Sequence, residues 1–431
     1  MIGFSIVPFS KNTGIICRYS EFHPNLSYFV YNEANIKSWI EKLKKEWGNI
    51  LIVNDSRTVY RSLSFLGADY LLSLNLFDCR AFFNIYKNAL NIDISNLAQK
   101  NLNITLADEQ SRIQKIWRIQ NEENWELIPL SLIEVFLEKD ATTAFKIGSQ
   151  LKKIKLSLDV SAYYDLFREF LIYLTLLEET GIHFKNEITI PRYEYDRVIT
   201  GRLVNTTPYC YQVVSKQKFI ETCSSRFGKD GILLNADWKN AEFRVAAAIS
   251  KEKIEGEKKD PYTLLGRAIL GRQEITKEER EENKETVLAT MYGDSYQFSN
   301  EFFSTYPNIA AYKKEIIKEA RKNLKLTTKF GKTRFFETNE KFETKAFNAI
   351  NQMTVADLCK IAIIETQKEF KEKNLRSVML PYVVYDNFLF DIYKPELEQA
   401  KQAIQTGLIN RTIPYSFRQY VDFEVSIEEL K

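Results

Sequence analysis

Asp237 closes an apolar run, Gly231-Ile-Leu-Leu-Asn-Ala, and an Ala-rich stretch, Glu242-Phe-Arg-Val-Ala-Ala-Ala-Ile, follows almost at once. The first run has the length and content of a buried strand, and the second is built from strong helix formers. A carboxylate is therefore expected at a strand-to-helix junction, where it can face a cleft. Further along, Arg280, Lys284, Leu288 and Tyr292 are spaced four apart. At about 100° per residue they drift by only about 40° per step, so two cations, an apolar side chain and a ring share one stripe of a helix that stops near Gly293. Guanidinium and ammonium groups bind phosphate oxygens, while the leucine and the ring can lie under a planar base. The plainer alternative is a solvated stripe paired with Glu281, Glu282 and Glu285. A third string, Val378 to Ile392, has two β-rich runs flanking Tyr385-Asp386-Asn387, the pattern of a hairpin with Asp386 near its tip. Read alone, Asp386 is also compatible with an ordinary turn aspartate.

Taken in order, these strings resemble the polymerase motifs of the family A DNA polymerases, the bacterial DNA polymerase I class. Asp237-Trp-Lys-Asn-Ala-Glu242-Phe-Arg244 is similar to Asp-Tyr-Ser-Gln-Ile-Glu-Leu-Arg, with Asp, Glu and Arg in register. Arg280 to Gly293 carries Arg-x3-Lys-x7-Tyr-Gly without a gap. Tyr385-Asp386-Asn387 resembles the family's Val-His-Asp-Glu but keeps only the Asp, so the roles of the replaced His and Glu are not carried over. Two carboxylates about 4 Å apart repel by roughly 4 kcal/mol at an effective dielectric near 20, and a divalent cation removes that repulsion. Two such ions could activate a primer 3′-hydroxyl, hold a triphosphate and stabilise the leaving pyrophosphate. Asp237 and Asp386 are the expected ligands of two Mg²⁺ ions, with Mn²⁺ as a substitute, and the resemblance implies the backbone carbonyl of Trp238 as a further ligand. With Lys284 they form the expected catalytic set.

The resemblance further implies that Arg280, Lys284, Leu288 and Tyr292 bind the dNTP and that Glu242 excludes a ribose 2′-hydroxyl. Leu288 leaves an alternative open, because the same helix looks like that of single-subunit phage-type RNA polymerases, where an aliphatic residue stands in place of an aromatic. A further alternative is a DNA-binding scaffold with a relic site. Thr200-Gly201-Arg202-Leu203 resembles Thr-Gly-Arg-Leu, whose Arg contacts the primer end region. Lys329-Phe330-Gly331-Lys332-Thr333-Arg334-Phe335 resembles Phe-Gly-Arg-Arg-Arg-Tyr, which would set Lys332 and Arg334 against backbone phosphate. Asn348-Ala-Ile-Asn-Gln352 is similar to Asn-Ala-Pro-Ile-Gln, and its terminal amides, four apart on one helical face, could read minor-groove acceptors. Primer–template DNA and dNTPs are the implied partners, with replication accessory proteins beside them.

The elements that must position these groups follow from the rest of the chain. Its 431 residues allow two to three domains. The resemblance implies a mixed α/β fold: a right-hand polymerase with an antiparallel palm sheet, preceded by an RNase H-like domain. Residues 1–150 carry strands at Ile2 to Pro8, Gly14 to Arg18 and Ile50 to Val53, and helices at Ile36 to Trp47 and Val59 to Leu66. They resemble the family's proofreading exonuclease domain. If Ile2-Gly3-Phe4-Ser5 is that domain's second strand, its Asp-x-Glu metal motif lies upstream of Met1. Asp78 and Asp140 then read as surface acids, and no proofreading is expected. Residues 151–200, with one long helix from Ala162 to Thr180 ending at Gly181, would form a reduced thumb. Residues 201–431 would form palm and fingers, the fingers at about 260–310. The thumb and the stretch between Tyr292-Gly293 and Tyr306-Pro307 are short for the family, so low processivity is expected.

A net charge of +3 means that any DNA affinity comes from locally clustered cations. Cys17, Cys79, Cys210, Cys223 and Cys359 are scattered without paired metal spacing, which fits a reducing cytoplasm in a bacterial or phage-infected cell. With His23 and His183 as the chain's two histidines, neither a histidine zinc site nor a Ser-His-Asp triad is expected. The longest apolar run, Phe170 to Leu177, is too short for a bilayer, no signal peptide is evident and no membrane partner is expected. Abundant Lys, Asn and Ile suggest a mobile or viral genome.

Overall fold

The computed structural model describes residues 1–431 except 11, 21–22, 48–49, 88–89, 93, 95–127, 186, 208–218, 220–221, 294–298, 385 and 431, and except the side chains of 23–27, 46–47 and 207. The chain divides into two compact units, Met1–Glu179 and Thr180–Lys431. The division falls inside 151–200, the segment expected as a reduced thumb.

The first unit is a five-stranded mixed sheet with helices. Strands β1 (Ile2–Ser10), β2 (Thr13–Ser20), β3 (His23–Tyr31), β4 (Leu51–Val53) and β5 (Leu76–Asp78) lie in the order β3-β2-β1-β4-β5. The first three pair antiparallel, and β4 and β5 run parallel to β1. Helix α1 (Ile36–Trp47) buries Ile36, Ile40 and Leu43, an i, i+4, i+7 stripe. The helix expected over Val59 to Leu66 starts earlier, as α2 (Ser56–Ser62), because Asp55 caps it through Arg57 N–H, and ends in a 3₁₀ turn at Ser64–Leu66. Helices α3 (Ala68–Ser73) and α4 (Cys79–Lys87) follow. A long helix, α5 (Leu130–Leu151), went unread in the sequence and precedes the expected one, α6 (Leu158–Thr180). α5 packs so closely on the sheet that a Cβ at Gly3 would meet the carbonyl of Ala141, and one at Gly148 would meet Ile52. Glycine is required at both places by space.

β1, expected as the domain's second strand, pairs antiparallel with β2 on one side and parallel with β4 on the other. It is the middle strand of the sheet. Asp78, however, is no surface acid: it is 1% exposed, and its carboxylate accepts from the N–H groups of Ser56 and Ala81 at 2.8 Å each. Asp140 accepts from Ser5 Oγ and Asn54 Nδ2 at 2.6 Å each. Burial pushes Asp78 up to about 6, with the Asp55 charge adding to it.

The second unit is built on a four-stranded sheet of β6 (Gly231–Trp238), β7 (Val378–Val384), β8 (Asn387–Tyr393) and β9 (Val425–Leu430), in the order β7-β8-β6-β9. Every pair is antiparallel, as expected for the palm. Helices α7 (Ala241–Ser250), α8 (Pro261–Leu270), α9 (Lys277–Tyr292), α10 (Ser299–Thr305), α11 (Pro307–Asn323) and α12 (Phe342–Glu372) complete the parts used below. The 31-residue α12 buries residues around much of its circumference, including Asn351, Asp357 and Lys360, as a helix enclosed by its own domain does.

The β7–β8 hairpin carries an irregularity between Met379 and Val383, where Pro381 has no N–H to give the ladder. Tyr193 repairs it: its hydroxyl donates to Pro381 O at 3.1 Å and accepts from Val383 N–H at 3.0 Å, both buried. Tyr193→Phe is expected to leave those two backbone groups unsatisfied and cost roughly 1–3 kcal/mol. Urea unfolding of the two proteins checks this, and an unchanged midpoint contradicts it.

Candidate active site

The register of β6 against β8 sets Asp237 opposite Asn387, and the hairpin turn delivers Asp386 beside it. The backbone N–H of Trp238 donates to Asp386 O at 3.3 Å, which fastens the turn to the end of β6. Two residues 149 positions apart thus come side by side, because an antiparallel ladder has one register that keeps its apolar face buried. Burial, and then the Asp237 charge, push Asp386 up to about 6, while the Lys284 ammonium pulls the other way. Asn387 Nδ2 donates to Asp237 Oδ1 at 3.0 Å, and its own Oδ1 is buried with no hydrogen-bond partner among the described residues. Tyr385 lies outside the described residues.

This donor set fits a hard divalent cation. The convergent side chains offer oxygen, the two carboxylates repel without a counter-charge, and the buried Asn387 oxygen lacks a donor. Among the described residues no third His, Cys, Asp or Glu joins the pair. The main chain at Trp238, between Asp237 and the turn into α7, lies at the same strand end.

That turn is made by Asn240, whose φ of +53° permits the sharp change from strand to helix. It places Glu242 in the first turn of α7. Glu242 forms an ion pair with Arg202 and accepts from the Tyr292 hydroxyl at 2.6 Å. Asn351 of α12 closes the group, donating to Glu242 O at 2.8 Å and to the Tyr292 hydroxyl. Burial, then the Glu242 charge, hold the Tyr292 phenol well above its usual range, so it remains a donor. Arg244, third in the motif, is buried and pairs with Glu424 at 2.9 Å, which also takes Lys239 at 3.1 Å. This braces the junction against β9.

Helix α9 starts with a capping box between Thr276 and Glu279, and buries Val287, Thr290 and Met291. The expected stripe is on its open side: Lys284 is exposed, and Arg280, Leu288 and Tyr292 are partly so. The reading that the stripe merely pairs with Glu281, Glu282 and Glu285 captures one contact, Arg280 to Glu281 at 2.8 Å. Arg280 also binds Asp260 through Nε at 2.7 Å and Asn240 at 3.4 Å, and its guanidinium lies 5.1 Å from the Tyr262 ring.

The residues expected along primer and template are divided. Arg202 is in the Glu242 group. Asn348 and Gln352 are half-buried on α12, and the amide aimed into the site is Asn351, between them in the string. The sequence carried a signal for it: a polar side chain on the apolar face of a buried helix requires a partner. Lys332 and Arg334, expected against phosphate, are instead 5% and 8% exposed. Arg334 is drawn in by Glu340 at 2.8 Å and the Phe336 ring, and Lys332 sits with Lys360 and Asp357 against Gly201. Cys17, Cys79, Cys223 and Cys359 are in no disulfide, and Cys210 is outside the described residues. No helix among the described residues is long and apolar enough to cross a membrane.

The sequence matches DNA polymerase family A over residues 149–428. Among curated proteins, it is 25% identical to DNA polymerase I of Caldicellulosiruptor bescii over 242 residues, 49% of this chain and 28% of that one. It is 23% identical to DNA polymerase I of Bacillus subtilis over 353 residues, 71% and 40% of the two chains. The chain thus spans less than half the length of these relatives. Among solved structures, the POL domain of Pol1 from M. smegmatis, in complex with DNA primer-template and dNTP, superposes with a TM-score of 0.65 at 14% identity, covering 99% of this chain and 95% of that one. The likeness to that structure is one of fold.

Burial, and then the neighbouring Lys360 charge, lower Lys332 to about 7, against about 10.4 for an exposed lysine. Between those values the unfolded chain binds one more proton than the folded one, so stability rises with pH, by at most about 1.4 kcal/mol per pH unit. Below about pH 7 both states are protonated and the full penalty applies. Lys332→Met is expected to raise stability at pH 7 and to flatten the rise between pH 7 and 10, as read by urea unfolding across that range. An unchanged slope contradicts it.

Proposed function

The chain belongs to DNA polymerase family A, and we propose that it extends a primer 3′ end with dNTPs on a DNA template, by nucleotidyl transfer at the Asp237–Asp386 pair. The observation that carries this reading is the β6–β8 register, which holds two carboxylates together at the end of a strand and leaves them in need of a cation.

Asp237, Asp386 and the Trp238 carbonyl would hold the metal. Two Mg²⁺ ions bound there, or Mn²⁺ in their place, would supply the activation of the 3′-hydroxyl and the stabilisation of the leaving pyrophosphate. Everything else is positioning and charge, as phosphoryl transfer requires. Asn387 aims the Asp237 carboxylate. Lys284, exposed on α9 and within electrostatic reach of Asp386, meets the triphosphate and offsets the negative charge that grows on the leaving group. Arg280, one turn earlier, is the second phosphate cation. Leu288 and Tyr292 form the floor under the incoming base.

Glu242 discriminates the sugar. Because Arg202 and the Tyr292 hydroxyl hold its two carboxylate oxygens, and Asn351 holds its backbone carbonyl, the carboxylate cannot swing aside to admit a 2′-hydroxyl, and this favours dNTPs over the NTPs suggested by Leu288. Arg202 reaches the primer end from the same group, and Asn348 and Gln352 read the minor groove. Lys332 and Arg334 act from behind as structural cations. In residues 1–150 the carboxylates of Asp78 and Asp140 are engaged by helix-capping N–H groups and by Ser5 and Asn54, which supports an RNase H-like unit without proofreading. Residues 151–200 serve as a reduced thumb and 260–310 as fingers. Replication accessory proteins would act with the chain, in the cytoplasm of a bacterial or phage-infected cell.

Primer extension with dNTPs and with NTPs tests this reading. Asp237→Ala and Asp386→Ala should each lower extension by on the order of a thousandfold, the loss of several kcal/mol of charge stabilisation. Glu242→Ala should raise NTP incorporation relative to dNTP by roughly tenfold or more. Extension that survives both aspartate substitutions removes the metal assignment, and primer-free transcription from NTPs replaces the reading with an RNA polymerase.

A further inference from the structure

The two phosphate cations of α9 are not equally available. Lys284 is exposed, with the Tyr262 ring 6.0 Å from its ammonium. Arg280 is already occupied. Its Nε donates to Asp260 Oδ2 at 2.7 Å, one Nη2 proton goes to Asp260 Oδ1 at 3.2 Å and the other toward Asn240 Oδ1 at 3.4 Å, and Nη1 donates to Glu281 at 2.8 Å. A guanidinium has five N–H donors in a planar fork, so one remains. A two-bond grip on a phosphate therefore requires that a present partner leave.

Asp260 is the partner with the most to decide. It is the N-cap of α8, accepting from the N–H groups of Tyr262 and Thr263 and from the Thr263 hydroxyl, so its carboxylate stays fixed whether or not Arg280 is there. Tyr262, two residues on, lies under the same guanidinium. One turn of backbone thus supplies both an anion and a ring to hold Arg280 in place. The Asp260 and Arg280 side chains remain 34% and 26% exposed, so water and anions can reach the pair and exchange with it. A locked pair would be buried.

We propose that Asp260 is a built-in competitor for Arg280, a fixed carboxylate that occupies the guanidinium until the triphosphate of an incoming nucleotide displaces it, and that it thereby weakens nucleotide binding. This rests on the reading of Arg280 as a phosphate ligand. Asp260 acts through Arg280 and is a positioning residue. The exchange substitutes a polyanion for a single negative charge, so it proceeds when the triphosphate is presented along the whole stripe, with Lys284 engaged as well.

Asparagine is as good an N-cap as aspartate but carries no charge, so Asp260→Asn keeps α8 and removes the competitor. Binding of inorganic tripolyphosphate, measured by calorimetry, is expected to tighten by roughly three- to tenfold in this variant. The KM for dNTP in primer extension should fall by a similar factor with kcat unchanged or lower. Asp260→Ser, another capping residue, should behave alike and guards against a folding artefact of either variant. In an Arg280→Ala background the effect of Asp260→Asn should vanish, since the guanidinium it competes for is gone. Weaker or unchanged tripolyphosphate binding in Asp260→Asn overturns the proposal and makes Asp260 a brace. Tightening that persists without Arg280 overturns it too, as a general charge effect. Should Arg280→Ala alone leave tripolyphosphate binding unchanged, the phosphate reading of Arg280 falls and the competitor with it, which separates that failure from the other two.

Discussion

Like-charge repulsion between Asp237 and Asp386 is the constraint around which the second unit is arranged. Left to themselves the two carboxylates would separate, and the β6–β8 ladder prevents it, because slipping the register by one residue would exchange Phe388, Phe390 and Ile392 with Asn387, Leu389 and Asp391 between two faces that are both covered. The polar contacts nearby then follow. Asn387 steadies one carboxylate, the Trp238 N–H ties the turn that bears the other, and the Lys284 charge moderates what remains. A site that is unfavourable when empty of cations is one with a strong appetite for them.

A second layer of polar contacts fixes the groups that would face a nucleotide. Glu242, Tyr292, Asn351 and Arg202 come from a helix start, a helix end, a buried helix and a turn, and each meets another in the group. The amide nitrogen of Asn351 is satisfied within this partly buried network, while its Oδ1 is buried with no hydrogen-bond partner among the described residues. The same helix that contributes Asn351 also buries Asp357 and Lys360, with Lys332 packed beside them. Positive charge is thereby kept behind the Gly201–Arg202 turn, where burial tunes it. On the open side, Arg280 is held by Asp260 and Tyr262, so the cations near the proposed triphosphate site differ in how readily they can be recruited.

The first unit shows acids put to a different use. Asp55 caps α2, and Asp78 receives the N–H groups of Ser56 and Ala81 at the ends of two short helices. Each Asp78 oxygen thus accepts one N–H, which fixes the carboxylate against the two helix starts. Burial, and then the Asp55 charge, raise Asp78 to about 6. The carboxylates became part of the scaffold that holds the sheet and its helices.

Local chemistry carried much of this into the linear chain. The Asp237 junction, the Arg280 to Tyr292 stripe and the β7–β8 hairpin were legible because each depends on periodicities of two and 3.6 residues and on turn residues within a few positions. The helix ending at Gly293 was legible for the same reason, whereas the antiparallel palm sheet was an expectation from the family resemblance. Other features depended on partners far away in the chain. Whether Lys332 and Arg334 face phosphate or the interior was settled by Glu340, Lys360 and the space against Gly201. The string around Asn351 points to Asn348 and Gln352, and which amide meets Tyr292 depends on how α12 lies against α9. β1 proved to be a middle strand through pairing with β4, and Asp260 reached Arg280 across twenty residues. Residue type and spacing limit what a side chain can do; its neighbours in space, which long-range packing alone supplies, select what it does.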